Sequence, residues 1–199
     1  KREIIINGRP VNLNSPRDAI REGIALIPEE RGLQVVVLAQ SIRENIVLSS
    51  LNRIKNRLFL SEEKERKIVS EMMEAFAVKA ESPETLVGTL SGGNQQKVVL
   101  AKQLATNPDI LLMFDITRGV DVGTKKEMFN VVKKYASEGK AILFFSTDTE
   151  ELVNVCNSII VMNHGRIAGR IDEEELITRE NIIRVSMGEK AVREGGKGE

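Results

Sequence analysis

Two runs without a charged residue, ILLMF at 110–114 and AILFFS at 141–146, frame the amphipathic stretch DVGTKKEMFNVVKKYASEG. Runs this uniformly apolar belong to strands covered on both faces, and such strands occur in parallel sheets flanked by helices. The stretch between them fits the crossover helix. It puts Met128, Val131, Val132 and Tyr135 on one side and stops at Gly139. The expectation is an α/β fold with a mostly parallel sheet. After 141–146 come a short helix at about 149–155 and then SIIVMNHGRIAGRI, two strands joined by a tight turn at 163–165.

The first half departs from this alternation. EIIINGRPVNL (3–13) reads as a hairpin around Asn7-Gly8. SPRDAIREG (15–23) is a short helix with Ser15 as cap, Pro16 at the first position and Gly23 beyond the end. IALIP (24–28) is a buried strand stopped by Pro28. From Ser41 to about Val87 the chain is mostly helical, and EEKERKIVSEMMEAFAV places Ile68, Met72 and Phe76 on one face. The Met72-Met73 pair reads as core filling. This segment is expected to be a helical subdomain inserted in the α/β frame.

Charge limits the ligand classes. Lys plus Arg and Asp plus Glu number 29 each, and a dedicated nucleic-acid binder would carry a basic excess. No apolar run approaches the ~18 residues of a membrane span, and no signal peptide is visible. Cys156 is the one cysteine. It excludes an internal disulfide, reads as a core residue and suits a reducing compartment. His164, the one histidine, lies in the 163–165 turn and reads as a turn residue.

LSGGNQQK (90–97) opens the amphipathic stretch KVVLAKQLA. Ser91 can cap that helix, and Gly92 and Gly93 leave backbone N–H groups bare at its positive end, which suits an anion and phosphate above all. The whole string resembles the signature motif of ATP-binding cassette ATPases, and its Asn-Gln-Gln variant resembles the sugar-importer branch. That resemblance implies that Ser91, Gly92, Gly93 and Asn94 contact in trans the γ-phosphate held by the opposite cassette of a dimer.

In the same family the next strand ends in Asp-Glu-Pro-Thr, the first acid serving Mg²⁺ and the second polarising the attacking water. Phosphoryl transfer is mostly positioning and charge neutralisation, so both must be gripped. Here Pro108 precedes Thr117 by nine residues, the family's own spacing. Phe114 then takes the metal-acid position, Asp115 the catalytic-glutamate position and Ile116 the proline position. A slipped register would make Asp115 the metal acid and leave the second acid absent. Either way one carboxylate stands where two are expected. Aspartate is a methylene short, and about 1 Å at a general base costs on the order of 10²-fold. The expectation is that Asp115 cannot sustain normal turnover.

RGVDVG (118–123) resembles the loop that reaches across the dimer interface, with Asp121 as its acid and also as N-cap of the following helix. Thr147 takes the position of the family's switch histidine, followed by Asp148; threonine does not titrate near neutral pH. Pro28, Glu29, Glu30 and Arg31 resemble the coupling loop of the second, C-terminal cassette of sugar-importer ATPases. That loop senses nucleotide and touches the membrane subunit.

No stretch fits the phosphate loop GxxxxGK[ST]; GVDVGTKK and EGGKGE have the wrong spacing. In the family the loop precedes the hairpin that resembles 3–13. The expectation is therefore a P-loop NTPase-like cassette without its N-terminal part, and the start at Lys1 suggests a fragment or processed piece. The expected division is 1–40 (hairpin, short helix, strand and coupling loop), 41–105 (helical subdomain ending in the signature helix), 106–186 (α/β core) and 187–199 (disordered tail).

What the resemblance implies is an ATP-binding subunit of a bacterial sugar importer, peripheral at the cytoplasmic face of the membrane, with ATP and Mg²⁺ as the family's cofactors. Implied partners are a second cassette, a membrane permease and, indirectly, a sugar-binding protein, with no nucleic acid. The family is an ATPase; this chain, with altered catalytic positions, is expected to be inactive alone. Two other readings stand: a non-catalytic regulatory or structural half-cassette, and a DNA-repair or chromosome-type cassette ATPase, which neutral charge and the sugar-type signature disfavour.

Overall fold

The structure, a computed structural model, describes residues 3–29, 35–56 and 59–193. The chain forms two compact units, 1–145 and 146–199.

In the first unit, β1 (Ile4–Ile6) and β2 (Arg9–Val11) form the expected hairpin. Asn7 and Gly8 both have positive φ, 50° and 76°, the primed-turn geometry that favours Asn-Gly. Helix α1 (Pro16–Arg21) has the Ser15 hydroxyl accepting from the Asp18 N–H. It leads into β3 (Ile24–Ile27). β3 pairs in parallel with β6 (Ile110–Phe114), and β6 pairs in parallel with β7 (Ala141–Phe145). Leu26, Leu112 and Leu143 stand in one row across the sheet.

Side chains alternate across a strand. Ala25, Ile27, Leu111 and Met113 enter the core. On the opposite face Leu26, Phe114, Leu143 and Phe145 are 49%, 51%, 64% and 46% exposed. Among the described residues of this unit, one face of the sheet enters the core and the other stays largely exposed, where coverage of both was expected.

The helical segment builds the rest of that core. Helix α2 (Ile42–Leu48) starts in a capping box between Ser41 and Glu44, and buries Ile42, Ile46 and Val47. Helix α3 (Leu51–Ile54) follows. A two-stranded ribbon, β4 (Lys55–Asn56) and β5 (Phe59–Leu60), interrupts what the sequence reads as mainly helical. Helix α4 (Glu62–Ala75) buries Ile68 and Val69, and Phe76 closes it at 2% exposure. Full burial of each such side chain is worth about 1.5–3 kcal/mol. Met72 and Met73 pack against this core. Helix α5 (Gly92–Leu104) contributes Val98, Val99, Leu100 and Ala101, and α6 (Val122–Ser137) contributes Met128, Val132 and Tyr135. All of these share one cluster with Ile27 and Leu111. The segment 41–105 and strands β6 and β7 belong to one compact unit, which ends at Phe145.

The second unit holds α7 (Thr149–Val155), the hairpin of β8 (Ile159–Asn163) and β9 (Arg166–Ile171), and α8 (Arg179–Ser186). Its core is Ile159, Val161, Ile171, Ile177, Ile182 and Val185. Cys156 packs half-buried against it, and burial pushes its thiol up. His164 and Gly165 form the turn with φ of 46° and 74°. In the stretch expected to be a disordered tail, Val192 exchanges two hydrogen bonds with the Asn181 side chain, at 2.9 and 2.8 Å, and Arg193 pairs with Glu173 at 2.9 Å. Residues 194–199 lie outside the described residues.

Candidate functional site: the signature turn and the ends of the parallel strands

The turn at 90–94 is set by its own side chains. The Ser91 hydroxyl accepts from the Asn94 N–H at 3.4 Å and from the Asn94 amide at 3.2 Å. Asn94 Oδ1 is taken by the Lys79 N–H at 3.0 Å, so this side chain ties the turn to its own subunit. Gln95 Nε2 donates to the carbonyls of Val87 and Leu90, fixing the approach to the helix. Lys97 is 3% exposed. Its ammonium donates to Glu127 Oε2 at 2.5 Å and to the Ala77 carbonyl at 3.0 Å, and the ion pair holds Glu127 below its ordinary carboxylate range.

Asp121 sits beside this turn as the N-cap of α6, as the sequence predicts. Its carboxylate accepts from the Thr124 N–H at 3.0 Å and from the Thr124 hydroxyl at 2.7 Å. Those bonds, the backbone one first, lower its pKa. Gly93 is placed against the same pair. A side chain there would meet Thr124 Oγ1 at 3.1 Å and Asp121 Oδ2 at 3.5 Å. The structure thus brings Ser91, Gly93, Asn94 and Asp121 together at the N-terminal ends of α5 and α6. The α5 end, capped by the neutral Ser91 hydroxyl, carries the partial positive charge of a helix N-terminus, which suits an anion, whereas the α6 end already holds the Asp121 carboxylate.

The carboxyl ends of β3, β6 and β7 form a second cluster, the place where open parallel sheets receive ligands. The Phe114 and Phe145 rings stack there at 4.5 Å and 17°. Asp115 follows with φ 46°, its N–H donating to the Phe145 carbonyl at 2.9 Å. That left-handed conformation is one Asp tolerates better than most residues. Ile116 and Thr117 turn inward, each 1% exposed. Arg118 reaches across to form an ion pair with Glu29. Glu30 and Arg31 lie outside the described residues.

Thr147 is an exposed residue of the second unit, one position before Asp148, whose carboxylate caps α7 by accepting from the Glu150 N–H at 3.0 Å. Beside it the Ser146 hydroxyl donates to Glu151 at 2.8 Å.

These features are those of an ATP-binding cassette, and the comparisons decide the matter. The family described as ABC transporter matches residues 1–117. This chain belongs to the ABC transporter family. Among curated relatives, the ribose import ATP-binding protein RbsA 1 of Rhizobium johnstonii is 42% identical over 184 residues, 92% of this chain and 36% of its own length. RbsA of Bacillus cereus is 40% identical over 186 residues, 94% of this chain and 37% of its own length. A putative ribose/galactose/methyl galactoside import ATP-binding protein of Rhizobium etli is 38% identical over 183 residues, covering 92% and 35%. The chain spans little more than a third of the length of these relatives.

Among solved structures, a dimeric ATP-binding cassette in a post-hydrolysis state bound to ADP and Pi superposes with a TM-score of 0.71 at 24% identity, covering 85% of this chain and 72% of that one. CbiO1 of Clostridium perfringens gives 0.72 at 19%, covering 90% and 69%. At such identities the likeness speaks for the P-loop NTPase-type α/β fold alone.

A family that binds ATP raises the question of which parts of that ligand these residues fit. The signature turn fits a phosphate group: a capped helix N-terminus, a hydroxyl and close backbone approach. The strand ends do not fit a divalent metal. Phe114 is an aromatic in a stack, and among the described residues no group of three or more His, Cys, Asp or Glu side chains is poised for an ion. Nor is any helix among them long and apolar enough to cross a membrane.

Sequence reasoning passed over four residues. Asn45, fully buried, holds Val37 through both amide atoms, at 2.8 and 3.0 Å. Arg43, Lys97 and Arg118 tie elements far apart in sequence. For Asn45 the signal was present, as one polar residue among the apolar positions of SIRENIVL. The arginines and the lysine read as ordinary surface charges.

Proposed function

We propose that this chain is part of the nucleotide-binding cassette of a monosaccharide importer, and that it supplies its signature turn in trans to ATP held by a second cassette. The observation that carries the reading is the meeting of Ser91, Gly93 and Asp121 at two adjacent helix N-termini. Ser91 would donate its hydroxyl to a γ-phosphate oxygen, and the Gly92-Gly93 backbone would let that oxygen approach. Asp121 holds the neighbouring loop in place. Such positioning is what a phosphoryl-transfer site needs from a partner surface.

Relatives named for ribose import, at about 40% identity over nearly the whole chain, support the sugar class. A permease and, through it, a sugar-binding protein are the partners this implies, with the chain peripheral on the cytoplasmic face. The chain's own catalytic position is weak: Asp115 is short and is followed by a buried Ile116. No step is assigned to a metal at Phe114.

A complementation assay tests this. A full cassette with an intact phosphate loop but a disabled signature serine is mixed with this chain, and ATP turnover is followed. Turnover should rise with added chain, and Ser91→Arg should abolish the rise. No rise at saturating chain would defeat the reading. A second reading, a regulatory half-cassette, is favoured by the Phe114–Phe145 stack. In that case the chain would raise the partner's nucleotide affinity without raising turnover.

A further inference from the structure

The ribbon of β4 and β5 is open to solvent on both of its faces. Its register pairs Lys55 with Leu60 and Asn56 with Phe59, so the lysine and the leucine share one face and Phe59 lies on the other. All four residues are exposed. Phe59 is 79% exposed, more than any other aromatic side chain among the described residues, and Leu60 is 52% exposed. Leu48 and Leu51, on the helices that lead into the ribbon, are exposed as well.

The base of the ribbon, by contrast, is fixed. Ile54 is fully buried at the end of α3. The Lys55 N–H donates to the Leu51 carbonyl, and the Ser61 N–H closes the ribbon on the Ile54 carbonyl at 2.9 Å. Arg53 donates to the Ala105 carbonyl, just beyond α5, at 2.5 Å. Exposed apolar side chains gathered on a fixed base mark a contact surface rather than a requirement of the fold.

Charge says what kind of surface. Between Asn45 and Ser61 the sequence holds Arg53, Lys55 and Arg57 and no acidic residue, in a chain whose basic and acidic residues number 29 each. Arg57 and Leu58 lie outside the described residues. The acids that follow, Glu62, Glu63 and Glu65, occupy the first turn of α4, where the positive end of the helix offsets them. Glu62 also takes Arg66 at 2.9 Å. Basic residues interleaved with leucine and phenylalanine suit an anionic lipid surface. Their charged groups meet headgroup phosphates while the apolar side chains enter the acyl boundary. The shape agrees: a protein surface would cover one face of so narrow a ribbon, whereas a lipid interface surrounds whatever enters it.

We infer that the β4–β5 ribbon inserts edgewise into the interface of an anionic membrane, with Phe59 and Leu60 in the acyl boundary and Lys55 at the headgroups. The inference rests on the reading of a peripheral cassette only for the presence of a bilayer nearby. Vesicle binding needs no second cassette, so its failure and that of the complementation assay are told apart.

The chain contains no tryptophan, so Phe59→Trp places a single reporter in the ribbon. The whole chain is mixed with vesicles of phosphatidylserine and phosphatidylcholine in equal parts, or of phosphatidylcholine alone, at lipid on the order of 1 mM. With the anionic vesicles the chain should cosediment and the tryptophan emission should shift to the blue. With the neutral vesicles both effects should be much smaller. Phe59→Ser and Lys55→Glu change exposed positions, and circular dichroism checks that they fold. Each should weaken binding about tenfold, and raising salt from roughly 0.05 to 0.5 M should weaken it too. Met187→Ser, at another exposed apolar side chain, should leave binding unchanged. Any of four results would overturn the inference: no binding to anionic vesicles, equal binding to neutral ones, an equal loss in Met187→Ser, or binding without the blue shift. Concentration-dependent self-association that Phe59→Ser abolishes would assign the ribbon to a second copy and overturn it as well.

Discussion

Gly93 and Asp121 lie in contact range: a Cβ on the glycine would stand 3.5 Å from Asp121 Oδ2, and closer still, at 3.1 Å, to Thr124 Oγ1. The threonine cannot yield freely, because its hydroxyl donates to that same carboxylate at 2.7 Å. The turn at 91–94 and the loop that ends in Asp121 therefore approach closely enough that a side chain at position 93 requires Thr124 to shift.

Gly93→Ala tests that coupling. Alanine gains up to about 1 kcal/mol in helix propensity over glycine, while displacing Thr124 weakens a hydrogen bond worth about 1 kcal/mol. Thermal stability should change little. The rise in partner turnover should fall severalfold, since Thr124 must shift to admit the methyl group and a shift of about 1 Å in a positioned site costs on the order of 10²-fold. A variant with unchanged stimulation would show that the approach has no functional weight.

Acid should loosen the Asp121 cap. Its folded pKa is lowered by the Thr124 N–H and hydroxyl, so its contribution is complete above the ordinary carboxylate range, near 3.9. That contribution is lost as pH falls through the lower, folded value. Asp121→Asn should remove this part of the acid dependence while retaining some capping at neutral pH. Acid-unfolding curves of the two proteins, compared by circular dichroism, should differ only on the acid limb.

Restoring the family's residues should restore turnover. In a chain that carries a phosphate loop, Phe114→Asp, Asp115→Glu and Thr147→His together should raise ATP hydrolysis well above that of the same chain unmodified. Phe114→Asp also removes the stack on Phe145, worth about 0.5–1.5 kcal/mol, so a modest fall in thermal midpoint should accompany the gain. Absence of any gain would place the defect elsewhere.

Lys102 is 7% exposed, with its ammonium donating to the Val35 carbonyl, and burial lowers its pKa. The unfolded chain then binds more protons than the folded one between the lowered value and the usual lysine value of about 10.4. Stability should rise with pH across that window, and below it the cost of the buried charge is fully present. Lys102→Met, apolar and similar in length, should flatten the dependence and match or exceed the parent at neutral pH. Urea unfolding over a pH series reads this directly.

Much of the fold was legible in the sequence. Asn7-Gly8, Ser15-Pro16 and Ser91-Gly92-Gly93 each announce the element they begin or turn, because capping and turn geometry are decided within four residues. Ile110–Phe114 and Ala141–Phe145 read as strands for a related reason, an unbroken apolar run bounded by turn residues. The positions given to Phe114, Asp115 and Thr147 rest on the resemblance to the family's motifs. The exposure of Leu143 and Phe145 could not be read from the sequence, since a run that is apolar on both sides does not say which side a neighbour covers.

Local interactions, then, are what the sequence by itself determined: helix caps, tight turns, strand and helix periods, and the residue types at the signature turn and strand ends. Tertiary structure alone decided the approach of Gly93 to Asp121 and Thr124, the burial of Lys97 and Lys102, and the Arg118–Glu29 pair. Each joins groups that are distant in sequence. Their meeting depends on how the helices pack on one sheet face, a free-energy balance summed over the whole core rather than written in any short stretch.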